Sequence, residues 1–377
     1  MQFPYFYPVM GQQDRFTDFF DVNKYISQLD PYSESVSYPP FGIFVAFPFS
    51  QLADYLQYSP KEVRDSNIGL ISIILFEGPF LLFLGWFIYQ AVKGQGWVKD
   101  GFNTLSLLIT LPVIFLLDRG NYVILTFICL ALFFFYYDTR KDLSLFSLAA
   151  AISMKIYPVI YLVLLLMDRR FKDLIKIVFC VFIFSIFPLV VFKQSVFTSL
   201  KYFLSSIAVF SSGPDRLWVY LSYNLSMDTL LKYIGFFWGV PISEQINIIY
   251  FVFKSLLITL CIFLLFFEKN NWKRVLILTL IMILMPSMSM EYNLIYIYLP
   301  VYLFLISETN RKTDQLYLVV FTLLLIIKPY YVFQTGEIVR AFTIQPMIEV
   351  LTMFSVLFFY LIINFRKILC GFYHPSF

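Results

Sequence analysis

Apolar residues run through this 377-residue chain in stretches too frequent for a water-soluble core. They recur at 41–57, 68–90, 103–117, 121–137, 143–167, 172–192, 246–267, 273–287, 292–307, 314–329 and 346–363. Sixty percent of the sequence is apolar, 14% is charged and the mean hydropathy is +0.77. This pattern specifies a polytopic membrane protein. The expected fold is all-α: one integral membrane domain over 1–377, a bundle of about eleven transmembrane helices with surface-lying helices in the outer loops. Several runs are shorter than the roughly 20 residues of an upright span. The runs 103–117 and 121–137 read as tilted, as extended beyond these bounds, or as one re-entrant pair.

The remaining composition narrows the function classes. Four scattered cysteines suggest neither a disulfide framework nor a metal cluster. A single histidine, His374, excludes a His-rich zinc or haem centre. A net charge of +4, widely dispersed, does not imply a nucleic-acid partner. The 46 Phe and 27 Tyr suit lipid contact and interfacial belts. The opening residues lack the basic start and apolar centre of a signal peptide.

Counting each run as one crossing puts Lys61 and Arg64, Arg119, the cluster Asp168–Lys172, Lys269–Arg274, Arg311–Lys312 and Arg366–Lys367 on a shared side. The positive-inside rule makes that side the cytoplasm. Residues 1–40, 91–102, 138–142, 193–245, 288–291 and 330–345 then face outward. Two of these loops are long. One is the N-terminal segment 1–40, and the other, 193–245, reads as an outer loop lying on the membrane or folding back into the bundle. The expected location is the cell membrane, multi-pass, with the active site outward. An unaided polar outer tail is awkward to translocate, so an upstream span is expected.

Few residues in such a chain can do chemistry. Lys155 interrupts the run 143–167, with Pro158 three residues on. A cation at that depth faces a cavity, an anion or a carboxylate, or snorkels to an interface. In the first loop, Asp18 and Asp21 share a face if helical, with Thr17, Asp14 or Asp18 able to cap. They read equally as capping carboxylates and as a general base in a membrane-surface pocket. Tyr38-Pro39-Pro40 forces an extended entry to the next run. Asn224-Leu225-Ser226 has the pattern of a glycosylation sequon. Glu291 lies near the end of an apolar run and reads also as a solvated loop residue. Arg216 and Arg340 are further cations available to an anion.

In order along the chain, TDFFDVNKYI, LDPY, YPPFGIF, DRGN, AAAISMKIYP, YNLS and PSMSMEYNLIYIYLP resemble the polyprenol-phosphate-sugar-dependent glycosyltransferases of family 87, in the GT-C superfamily. The resemblance runs from about Asp18 to about Leu305. It implies a hexosyltransferase that takes a sugar, mannose or another hexose, from a polyprenyl phosphate on the outer face. The acceptor is a glycan, lipid or protein hydroxyl. On this resemblance the catalytic Asp falls on Asp18, with Asp21 beside it. Tyr38, Asn121, Lys155, Asn224 and Ser226 fall on motif positions of the donor and acceptor site. Asn121 stands where the family usually has Gln. Glu291 and Tyr292 stand where many members carry Trp and His. No metal is compelled, although Asp18 and Asp21 could hold a divalent ion. Two other classes stay open: a transporter built around Lys155, and a catalytically inactive structural relative.

Overall fold

The computed structural model describes residues 15–34, 36–94, 96–212, 223–237, 244–307, 312–327, 332–333 and 342–373. Among the described residues the fold is all-α apart from one antiparallel pair of two-residue strands, β1 (Val332–Phe333) and β2 (Phe342–Thr343). The chain divides into two compact units, Met1–Arg216 and Leu217–Phe377.

The first unit opens with α1 (Thr17–Ile26), which buries Phe19, Phe20, Val22, Asn23 and Ile26. A 3-10 turn, Pro31–Glu34, and two short helices follow, α2 (Pro40–Phe44) and α3 (Phe47–Ser50). Next come α4 (Pro60–Arg64), α5 (Asn67–Val92), α6 (Trp97–Leu108), α7 (Leu111–Arg119), α8 (Val123–Phe135) and α9 (Lys141–Met154). After a 3-10 turn at Tyr157–Tyr161 the unit ends with α10 (Leu162–Met167), α11 (Phe171–Val191) and α12 (Val196–Ser212).

Among the described residues four helices are long and apolar enough to cross a membrane. A fifth crossing exists if α6 and α7, bent by 56°, form one span. The eleven apolar runs therefore become helices, but most are too short to count as spans by length. Two of them break for identifiable reasons. The run 41–57 is split into α2 and α3, with Pro at the start of each. The run 143–167 stops at Met154. There Lys155 takes an extended conformation (φ −144°, ψ 134°), and a 3-10 turn containing Pro158 follows. Lys155 thus sits at a helix end and not deep within a long helix.

These two breaks change which loops lie together. Arg64 donates to the Arg15 carbonyl at 3.4 Å, so the run 41–57 returns the chain to the end from which it came. The helices α5 and α8 then run in the same direction. Phe76 pairs with Tyr122 (4.8 Å between ring centroids), Phe80 with Phe127, and Trp86 with Phe135 (4.9 Å). The bent pair α6–α7 is the return path between them. The helix α9 leads back to Lys155, and the segment 157–167 turns away again. Tyr137 donates to Asp168 at 2.6 Å, and Lys176 pairs with Asp142 at 3.0 Å, which closes that end. Arg64 and Arg119 therefore lie with Asp18, not opposite it. Segment 138–142 lies with 168–176, not opposite it. The two miscounted crossings cancel, so Asp168–Lys172 keeps its expected position.

The second unit holds α13 (Met227–Phe237), α14 (Glu244–Leu265), α15 (Asn271–Leu284), a 3-10 turn at Glu291–Ile297, α16 (Tyr298–Ile306), α17 (Lys312–Leu325) and α18 (Ile344–Tyr373). Its centre is α15, buried from Val275 to Leu284, as expected of a helix apolar on every face. Lys273 pairs with Asp314 at 3.0 Å beside the Trp272 and Tyr317 rings, joining α15 to α17.

Candidate active site

The start of α1 is fixed by tertiary contacts. Thr17 begins the helix, Phe16 precedes it with a left-handed backbone (φ 56°), and no side chain caps it. The Phe16 N–H donates instead to the Asp118 carbonyl at the end of α7, at 2.7 Å. Gly120 ends α7, also left-handed (φ 59°). A Cβ there would stand 2.9 Å from the Phe19 Cβ, so only glycine lets this turn press against α1.

That contact brings Arg119 and Asn121 to Asp18. Arg119 forms a very short ion pair with Asp18 Oδ1, and Asn121 Nδ2 donates to Asp18 Oδ2 at 2.6 Å. The orientation of the Asn121 amide follows from its other end, where Oδ1 accepts the Val123 N–H at 2.9 Å. Only the NH2 group can then face the carboxylate. The Asp18 side chain is 18% exposed and that of Arg119 21%, so the pair is reachable while Phe19 and Phe20 beside it are sealed.

Lys155 is held by Tyr38. Its Nζ lies over the Tyr38 ring, 4.0 Å from the centroid. Such a cation–π contact stabilises by about 0.5–1 kcal/mol at an exposed site and more where water is excluded. The packing of α2 on α9 sets the geometry. A Cβ on Gly42 would meet the Met154 carbonyl oxygen at 2.4 Å, so the backbones touch one residue before Lys155. Tyr32 donates to the Tyr38 carbonyl at 2.9 Å and fixes the Tyr-Pro-Pro entry.

Asp21, one turn after Asp18, acts electrostatically on Tyr55, a different neighbour. Among the described residues no group of three or more His, Cys, Asp or Glu side chains is placed to hold a metal. Sequence reasoning missed Arg119, because counting crossings put it on the other side of the membrane. It also missed Asn23, fully buried, which accepts from the Tyr122 hydroxyl at 2.8 Å and braces α1 from behind. The one available signal was the position of Arg119 beside the Gly120-Asn121 turn.

In the second unit Asn224 is 1% exposed. Its Oδ1 accepts the N–H groups of Ser226 (3.0 Å) and Ser289 (2.9 Å), and its Nδ2 donates to the Ser287 carbonyl at 3.0 Å. The Ser226 hydroxyl pairs with that of Thr229 at 3.1 Å. These bonds tie residues 224–226 to 287–290. In this state Asn224 is a brace, closed to a glycan on its amide. Glu291 is fully buried, not a solvated loop residue, and accepts from Gln345 Nε2 at 3.3 Å. Tyr292 follows it in the same 3-10 turn. Arg216 and Arg340 lie outside the described residues.

No curated protein and no solved structure matches the chain. The family model of glycosyltransferase family 87 matches residues 37–289. This stretch contains Tyr38, Gly42, Arg119, Gly120, Asn121, Lys155, Asn224 and Ser226. It is shorter at both ends than the motif resemblance, and leaves out Asp18, Asp21, Glu291 and Tyr292. Asp18 joins the matched residues through space, by its bonds to Arg119 and Asn121. With the match spanning about two-thirds of its length, the chain belongs to glycosyltransferase family 87.

Proposed function

We propose that this membrane protein transfers a hexose from a polyprenyl-phosphate donor to an acceptor hydroxyl, with inversion at the anomeric carbon. The acceptor oxygen attacks that carbon and its proton passes to Asp18. The bond between the anomeric carbon and the phosphate oxygen breaks, and the electron pair leaves on the polyprenyl phosphate. The single observation that carries this reading is the Asp18 carboxylate, partly exposed and held by Arg119 and Asn121.

Each residue has a part in this reading. Asp18 oxygens bonded once by Arg119 and Asn121 keep further lone pairs for an acceptor hydroxyl. Asn121 and Arg119 hold the carboxylate in one orientation. Lys155 balances charge on the departing phosphate, and Tyr38 holds Lys155 in place. Preorganised cations of this kind stabilise developing charge without rearranging during the reaction. Asn224 and Ser226 support the family motif as braces.

The site faces outward in this proposal. The basic residues Arg140, Lys141, Arg169, Arg170, Lys172 and Lys176 gather at the end of the first unit away from Asp18. The positive-inside rule assigns that end to the cytoplasm.

The test is Asp18→Asn, assayed in membranes with a polyprenyl-phosphate mannose or related donor and a panel of acceptors. General-base assistance is typically worth about 10²–10⁴-fold, so turnover should fall by at least the lower amount while donor binding persists. Asp21→Asn should be milder. Normal turnover by Asp18→Asn with a dead Asp21→Asn would move the base one turn along α1. Full activity of both would refute a first-segment carboxylate. A wild type that consumes no lipid-linked sugar would favour the inactive relative.

A further inference from the structure

The LDPY motif at residues 29–32 has no part in the transfer chemistry, yet it is tied down along its length. The Leu29 carbonyl accepts the Lys193 N–H at 2.8 Å. Leu29 itself is left-handed (φ 58°), a conformation that a leucine keeps only where its surroundings impose it. Asp30 Oδ2 accepts from Gln194 Nε2 at 3.2 Å. The Tyr32 ring is buried against Phe192, just past α11, and Phe203 on α12, with centroids 5.9 Å and 5.5 Å away. Its hydroxyl donates to the Tyr38 carbonyl. Tyr32 thus touches α12 with its ring and the Tyr-Pro-Pro entry with its hydroxyl, all within the first unit.

The helix α12 is polarised the wrong way round for water. Ser199, Phe203 and Ser206 share its buried face, and Phe197, Leu200 and Leu204 share the exposed one. A helix that meets water turns its polar residues outward. The preceding helix, α11, is long and apolar enough to span, and leaves Phe187 and Val190 exposed up to its last turn. The lipid-facing surface of α11 therefore continues past residues 192–195 onto α12. Lys201 and Tyr202, both exposed, are interfacial side chains beside the apolar stripe. What covers the stripe is the bilayer interface.

We infer that α12 lies in the membrane interface and that Tyr32 carries its position to Tyr38, which makes Tyr32 a positioning residue for Lys155. The path is short and continuous. Phe203 on α12 seats the Tyr32 ring, the Tyr32 hydroxyl holds the Tyr38 backbone, and the Tyr38 ring carries the Lys155 ammonium at 4.0 Å. Tyr32 exchanges no proton and forms no bond with substrate. Its part in turnover rests on the proposed role of Lys155 at the departing phosphate. Its part in placing Tyr38 does not.

The experiment uses the full chain in lipid nanodiscs. In a background without native cysteines, the rate of crosslinking between Tyr38→Cys and Lys155→Cys reports the seat of the Tyr-Pro-Pro entry without any substrate. Tyr32→Phe keeps the ring and removes only the hydroxyl. It should slow crosslinking by about threefold to tenfold, as for the loss of one hydrogen bond. Tyr32→4-aminophenylalanine restores a donor at that place and should restore the rate. Phe197→Asp, a charge on the lipid stripe, should also slow crosslinking, and Phe197→Leu should not. In the Tyr32→Phe background Phe197→Asp should add nothing, because the link is already cut. Unchanged crosslinking in Tyr32→Phe, or no recovery with 4-aminophenylalanine, overturns the positioning role. Full additivity of Tyr32→Phe and Phe197→Asp overturns the coupling to α12. In the otherwise native chain Tyr32→Phe should lower kcat by the same factor and change the donor KM little. Slowed crosslinking with an unchanged kcat overturns Tyr32 as a positioning residue for Lys155. A wild type that consumes no lipid-linked sugar fails the transferase reading, and the crosslinking rates then decide the inference by themselves.

Discussion

At the scale of single residues, Gly120 and Asn121 decide whether Asp18 is held. Gly120 is left-handed and meets α1 through the space a Cβ would fill. Gly120→Ala should cost about 1–2 kcal/mol from backbone conformation alone, and the collision with Phe19 adds to it. Thermal unfolding in detergent should register the loss of stability, and turnover should fall with it because Asp18 moves off Arg119. A variant with unchanged melting and unchanged turnover would show that the turn relaxes freely. Asn121 combines a bond to the Val123 N–H two residues on with a bond to Asp18. The first is a local habit of short Asn and Asp side chains. Asn121→Gln, which restores the residue usual in the family, keeps an amide but lengthens it by one methylene. Its turnover should drop below wild type, and donor binding should change little. Faster turnover by Asn121→Gln would mean that the Val123 bond has no positioning role. In the sequence, Gly120-Asn121 reads as a tight turn. Their function was not legible there, because nothing in a Gly-Asn pair specifies which helix it will touch.

At the scale of elements, the contact between α2 and the end of α9 places Tyr38 under Lys155. The Tyr-Pro-Pro entry could be read from the sequence, since proline removes donors and restricts its predecessor. Its destination could not. Gly42 closes the distance, with a hypothetical Cβ 2.4 Å from the Met154 carbonyl oxygen. Gly42→Ala should therefore force the two backbones apart. Overpacking of this kind typically costs about 1–3 kcal/mol. Membrane insertion should persist while turnover falls, and crosslinking between Cys substitutions at Tyr38 and Lys155 should become inefficient in the Gly42→Ala background. Crosslinking at the original rate would show that α2 keeps its seat. The break at Lys155 was half legible. Pro158 announced a disturbance, but not that Lys155 would take an extended conformation and end the helix.

At the scale of the whole molecule, hydropathy located the apolar segments, and contact between segments decided how the chain passes through the first unit. The consequence can be measured by labelling. In a background without native cysteines, Lys61→Cys should react with an impermeant reagent from outside intact cells. Lys141→Cys and Lys172→Cys should react only after permeabilisation. All three positions are exposed. Lys61 and Lys141 labelled from the same side would break the path traced by Arg64, Arg119 and Tyr137.

The sequence by itself determined the membrane environment, the all-helical fold, the family and the short inventory of polar residues worth attention. It did so because burial in lipid leaves so few residues free to be charged. Only the tertiary structure decided which of them meet. Asp18 and Arg119 are 101 residues apart and share no periodicity. Their pairing depends on a run that fails to cross, a glycine turn that allows close approach, and a helix end held by a carbonyl on another helix. Each is a property of backbone packing in three dimensions. Counting spans assumes that every apolar run crosses, and two proline-marked breaks in this chain violate that assumption.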